Sequence, residues 1–274
     1  MTQPAHIAIK KRKRHFALRR QHFSFPYFFL SALFVVIPLV ILLVYAFRDL
    51  GGAFSFSNFA KFFTEATVRN AMGRSLLLAL ATTAVCLALS YPVALVLANS
   101  RFNKTVVLVL LFILPMYINS LLRTLALKSV FEMIGLSDVF TRLVIAHVYD
   151  FFPFMLLPIY TVLVNMDKSY LEASNDLGGN AASTFLKVTL PLSVPGIVSG
   201  ILMVFMPTVS MFAIRDIVAD SDRWSLFGNS IERKFKYEET YGEGAAYAII
   251  LLAMVLVTML VASRLNRKIQ EDKR

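Results

Sequence analysis

Six apolar runs, each close to 20 residues long, constrain what this chain can fold into. They fall at about residues 26–47, 75–98, 105–127, 143–164, 194–214 and 245–262. A helix rises 1.5 Å per residue, so about 20 apolar residues cross the roughly 30 Å hydrocarbon core of a bilayer. Lipid offers backbone groups no hydrogen-bonding partner, whereas a helix satisfies its own. The expected fold class is therefore an all-α membrane protein with six transmembrane helices over residues 25–263, between tails at 1–24 and 264–274. Pro38, Pro92, Pro115, Pro153, Pro158 and Pro207 lie inside the runs and are expected to kink the spans. Neighbouring helices can satisfy the carbonyls they free.

The first run could be mistaken for a signal peptide. Phe25 to Phe47 is too long for the apolar core of one, and no convincing small-residue cleavage site follows, so an uncleaved span is expected. The net charge of +11 could suggest nucleic acid, but its distribution points elsewhere. With six spans, residues 1–24, 99–104, 165–193 and 264–274 share one side, which holds 16 Lys and Arg against five acids. The rest of the chain, the other side included, holds 12 basic and 12 acidic residues. Excess Lys and Arg marks the cytoplasmic face, so both termini and the 165–193 segment are expected in the cytoplasm. Contact with anionic lipid accounts for the basic excess without nucleic acid.

Enzymatic chemistry has little to stand on. The chain has no G-x-x-x-x-G-K-[ST] loop to cradle phosphates, no H-E-x-x-H and no G-x-S-x-G elbow. Three of the four histidines sit in the basic tail, which leaves no metal cluster, and the single cysteine, Cys86, lies within an apolar run. No cofactor is expected on this chain.

One polar interval stands out in the apolar second half, SYLEASNDLGGNAASTFLKVTLPLSVP from Ser169 to Pro195. Ser169 and Glu172 read as a capping box that starts a helix, and Gly178-Gly179 as its stop. Asn180 reads as the cap of a second short helix through Lys187, ended by Pro191 and Pro195. The expectation is a helix–turn–helix over 167–192, held between two spans.

That interval resembles the EAA loop of permease subunits of type I ATP-binding-cassette (ABC) importers. The family pattern is E-A-A, three residues, G, nine residues, then I-x-L-P. Here it stands as Glu172-Ala173-Ser174, Gly178, and Val188-Thr189-Leu190-Pro191, with Ser174 for alanine and Val188 for isoleucine. The resemblance implies that this cytoplasmic loop docks in a cleft of a separate ATPase, with Ala173, Ser174 and Gly178 inside the cleft and Glu172 at its rim. ATP and Mg would then be bound by the partner.

Tyr91-Pro92 and the stretches 115–128, 148–160 and 204–212 are further similar to PotB-type permeases of spermidine/putrescine importers. The outward loop around Glu132 to Thr141 is shorter than that family usually has. The likeness implies polyamine import with a second, PotC-type permease, a dimer of cytoplasmic ABC ATPase and an extracytoplasmic polyamine-binding protein. The alternatives are the same machine carrying another small solute, or an ATP-independent secondary transporter. The latter is disfavoured by the lack of an inverted repeat and of broken helices carrying ion ligands.

Asp150 is the candidate for the substrate path. It lies seven residues into the fourth run, about 10 Å deep at 1.5 Å per residue. A carboxylate at depth costs about 3 kcal/mol on insertion scales and is expected to face the bundle interior or water. Tyr149, Phe151 and Phe152 adjoin it, and Tyr117 and Asn119 of the third run are expected at similar depth. Aromatic faces with a carboxylate suit a polyammonium ion. The competing reading is that Asp150 pairs with Arg123 or His147 or faces a watery vestibule, with the aromatics forming an interfacial belt.

Overall fold

The computed structural model describes residues 20–49, 51–98, 105–219 and 224–271. The basic residues Lys10 to Arg19 and the 99–104 loop lie outside the described residues. Among the described residues the chain is helical apart from its connections. Five helices are long and apolar enough to cross a membrane, and a bent pair makes a sixth crossing if it is counted as one span.

The first crossing joins α1 (Arg20–Ser31) to α2 (Ile37–Ala46) through a π-turn at Ala32–Val36. From Pro26 on most of its side chains are exposed, and among those described only Ala46 at its end is buried. A short turn leads to α3 (Ser57–Thr64), an amphipathic helix lying before α4 (Ala66–Ala98). α4 has 33 residues, nine more at its start than the apolar run alone indicated. Next come α5 (Thr105–Ile113), a tight turn at Leu114–Tyr117 and α6 (Ser120–Met133), then α7 (Val139–Val164).

The third expected span, 105–127, is not one straight helix. It breaks between Tyr117 and Ser120 with a bend of 94°. Pro115 offers no N–H to the preceding turn, and the Asn119 side chain takes the amides of Leu121 and Leu122 at 2.9 and 3.4 Å. A new helix therefore starts where the old one loses its ladder.

Two short helices follow, α8 (Ser169–Asp176) and α9 (Ala181–Thr184). α9 passes through a π-turn at Phe185–Thr189 directly into α10 (Leu190–Ser210). Pro191 and Pro195 therefore do not end the second helix as expected. Both π-turns precede a proline, Pro38 in one case and Pro191 in the other. A proline leaves the carbonyl four residues back unpaired, and here that carbonyl belongs to Phe34 or Lys187, within the wider turn. The turn absorbs the defect and the rod continues. α11 (Ala213–Val218), α12 (Phe227–Lys234) and α13 (Tyr241–Glu271) complete the chain.

The core lies among α4, α7 and α10, where Cys86, Met155, Leu156, Ile159 and Val204 are fully or almost fully buried. In lipid, helices associate by close packing rather than by burying apolar surface from water, which favours small residues at the contact. Gly196 and Gly200 of α10 serve this role. A Cβ on Gly196 would stand 2.8 Å from the Pro158 carbonyl, and one on Gly200 2.6 Å from Met155 Sδ.

A polar collar closes the end of the bundle where α4 begins. The Asn58 side-chain amide donates to the carbonyls of Ala46 at 3.1 Å and Arg48 at 2.8 Å, tying α3 to the end of α2. Lys61 of α3 and Lys234 of α12 both grip Glu243 of α13, which is buried. Lys234 also lies 3.7 Å from Glu65.

Candidate functional site

The helix–turn–helix sits at the opposite end of α4 from this collar, beside Leu95 and Ala98. Its first helix is not started by a capping box. Ser169 is already the first helical residue, and the carboxylate of Asp167 accepts its amide at 2.9 Å. That hydrogen bond holds the Asp167 carboxyl below the usual range. Glu172 is thereby left to face a cavity of about 420 Å³ bounded by Leu95, Ala98, Leu163, Lys168 and Asn175.

The stop is as expected. Gly178 has φ of 77°, the left-handed conformation that glycine adopts without strain, and its N–H reaches the Asn175 carbonyl at 2.9 Å. The Gly179 amide returns to the Ser174 carbonyl at 2.9 Å. Asn180 caps α9 by accepting the Ser183 amide at 2.8 Å. Ser174 and Thr184 then share a hydroxyl–hydroxyl bond of 2.8 Å that joins the two short helices. Gly179 lies against this joint, where a Cβ would come within 2.7 Å of Ser174.

The motif residues divide by side. Glu172, Ala173 and Gly178 are exposed, and Ser174 is half-buried. Val188, Leu190 and Pro191 are half-buried, and Leu190 packs against the bundle core. The turn is anchored there by Tyr91, whose hydroxyl is 2.8 Å from Ser193 Oγ and whose ring meets Phe185 edge-on. Three exposed apolar side chains escaped the motif reading, Tyr170, Leu186 and Leu177, the last 89 % exposed beside the turn. The signal was present, because an apolar residue next to a glycine pair cannot reach the core from a tight turn.

Asp150 is buried on α7 and forms an ion pair with Arg123 of α6, which is buried too. Ser120 Oγ donates to the second carboxylate oxygen at 3.0 Å, and the Arg123 guanidinium stands 5.5 Å from the Tyr149 ring centroid. His147 bonds the Leu143 carbonyl instead. The other candidates do not join this cluster. Phe151 belongs to the bundle core, Phe152 leans on Phe112, Asn119 caps α6 and Tyr117 is 86 % exposed.

Known proteins place this architecture. Residues 8–271 match the family model of the binding-protein-dependent transport system inner membrane component. The spermidine/putrescine transport system permease protein PotB of Escherichia coli (strain K12) is 33% identical over 217 residues, covering 72% of this chain and 78% of that one. The protein of the same name from Haemophilus influenzae is 29% identical over 264 residues, covering 86% of this chain and 92% of its own. Among solved structures, a bacterial ABC transporter involved in the import of the acidic polysaccharide alginate superposes with a TM-score of 0.68 at 16% identity, over 90% of this chain and 94% of that one. At that identity the likeness speaks for the fold alone. Matched over nearly its whole length and sharing that fold, this chain belongs to the family of inner membrane components of binding-protein-dependent transport systems, the permease subunits of ABC importers.

Proposed function

We propose that this permease subunit imports polyamines of the spermidine/putrescine class. The observation that carries the reading is the 33% identity over most of the chain to a permease named for that transport system. Under it, the subunit pairs with a second permease, two ATPase subunits that bind ATP and Mg, and an extracytoplasmic polyamine-binding protein. The 165–193 turn and both termini face the cytoplasm, in keeping with the excess of basic residues on that side.

The turn is suited to coupling because it is rigid within itself and exposed outside. Its two short helices are joined by Ser174 and Thr184, and α9 runs on into α10 through the π-turn. A displacement of the turn is thereby delivered to a helix at the centre of the bundle. ATP favours one membrane state because the closed ATPase pair holds Ala173, Ser174 and Gly178 differently in that state, a differential contact without which no shift follows. Asp150 lies on the substrate path, with Tyr149 beside it.

Spermidine uptake into proteoliposomes holding the complete importer tests the reading. ATP-dependent, saturable accumulation that putrescine competes is expected. Transport of an unrelated solute with no polyamine competition would overturn the substrate class. Orientation has its own test. A cysteine at Asn180 should react with impermeant thiol reagent only from the cytoplasmic side, and one at Ser57 only from outside. Ser221, expected on the outward loop 215–244, lies outside the described residues.

A further inference from the structure

Arg123 sits where a substrate cation would sit. A carboxylate, a hydroxyl and an aromatic ring surround its guanidinium region, supplied by Asp150, Ser120 and Tyr149. Those three group types are what an alkylammonium ion needs once it leaves water, namely ion pairing, a polar partner for the carboxylate and a π face.

Two further observations separate this pair from an ordinary structural ion pair. First, Arg123 is 8 % exposed, yet its Nε and one terminal nitrogen have no hydrogen-bond partner. A buried donor left unmatched costs about 1–3 kcal/mol, so the site holds its guanidinium imperfectly. Second, the two charges ride on different segments. Asp150 belongs to the long helix α7, whereas Arg123 belongs to α6, beyond the 94° break at Tyr117–Ser120. A swing of α6 about that break, where Ser120 is the first residue and moves least, withdraws Arg123 and leaves the carboxylate with its Ser120 partner in place. Tyr149 is 44 % exposed, so the site has an edge reachable from beyond the bundle.

We propose that Arg123 is a tethered counter-cation that occupies an ammonium site formed by Asp150, Tyr149 and Ser120, and that a polyamine nitrogen replaces it during transport. Withdrawing Arg123 without replacement leaves a bare buried carboxylate, which is strongly unfavourable. Exchange for a substrate cation removes that cost, so α6 moves readily only when an ammonium is present to take its place. The pair thus blocks the site to uncharged solutes and links its opening to cargo. This inference rests on the polyamine reading given above.

The test is equilibrium binding of radiolabelled spermidine to the solubilised importer complex lacking its extracytoplasmic binding protein. Arg123→Gln is expected to bind about tenfold more tightly than wild type. Arg123→Lys keeps a tethered cation and is expected to stay near the wild-type affinity, as is Arg123→Gln combined with Asp150→Asn. Equal affinities for wild type and Arg123→Gln overturn the proposal. A second measurement needs no variant. In a structure of the wild-type complex with spermidine in the permease, the Arg123–Asp150 pair is expected to be open with a spermidine nitrogen about 3 Å from the carboxylate. An intact pair with spermidine elsewhere on the path overturns the proposal. Uptake separates the two claims. Wild-type proteoliposomes that accumulate no spermidine sink the polyamine reading, whereas normal uptake with an unaltered Arg123→Gln affinity sinks the tethered cation alone.

Discussion

The helix–turn–helix over 167–192 and the polar collar cap opposite ends of α4, and they are held together in different ways. Within the turn, the bonds that shape the backbone join residues at most ten apart, Asp167 to Ser169, Gly178 to Asn175, Asn180 to Ser183 and Ser174 to Thr184, and Tyr91 only anchors it to the bundle. In the collar, Lys61 reaches Glu243 across 182 positions of sequence, and Asn58 ties α3 to the end of α2. A locally encoded element can keep its shape while the bundle moves around it, which suits a part that transmits motion. A collar closed by Lys61 on Glu243 holds only while the two ends of the fold are assembled. Changes in the turn should therefore cost coupling before stability, and changes in the collar stability before coupling.

The largest expected effect is on coupling. Gly178→Asp forces a side chain into the left-handed conformation and adds a charge to an exposed turn. Complex assembly should survive while transport-coupled ATP hydrolysis falls by at least about tenfold, or about 1.4 kcal/mol of lost coupling. Transport at the wild-type rate would deny the turn its role.

The collar should fail differently. Glu243→Gln leaves Lys61 and Lys234 facing each other without the carboxylate they share. Lys61 is partly exposed and solvent screens it, so a loss of about 2 kcal/mol is expected, below the range for fully buried pairs. Thermal unfolding of the purified complex should show it, with ATPase coupling intact below the transition. A variant that loses coupling at full stability would erase the contrast between the two ends.

Ser174→Ala restores the family's more usual residue and deletes the bond to Thr184. It should cost about 1 kcal/mol locally. The effect should appear as faster amide exchange in residues 174–184 with assembly unchanged. The smallest effect concerns pH. The Asp167 carboxyl is held below its ordinary range by the Ser169 amide, so its contribution to the start of α8 is present above the unfolded value near pH 4. It is lost as pH falls through the lower folded value. Protection of the first turn of α8 should drop on acidification in wild type, and Asp167→Ala should be weakly protected at every pH.

Much of the turn was legible in the residues because its determinants are local. The glycine stop and the Asn180 cap follow from what glycine and asparagine do to the backbone beside them. The start was misassigned because Ser169 and Asp167 are both possible acceptors for first-turn amides, Ser169 for one two or three residues on and Asp167 for that of Ser169 itself. Asp167 prevails through its charge, which makes it the stronger acceptor. The second helix was cut short because proline is a stop signal in a regular ladder, and a π-turn removes the objection by widening the ladder ahead of it.

The sequence by itself determined that the chain crosses a membrane as helices, because apolar length against bilayer thickness leaves no other way to satisfy the backbone. It also carried the family, because the spacing of Glu172, Gly178 and Leu190-Pro191 is a one-dimensional pattern. Only the tertiary structure decided that Asp150 meets Arg123 rather than His147, that the third span bends by 94°, and that Glu243 joins α3 to α12. These pairings depend on the rotation and depth of each helix relative to its neighbours. Those are set by close contacts such as Gly196 and Gly200 against α7, which hydrophobic periodicity does not encode.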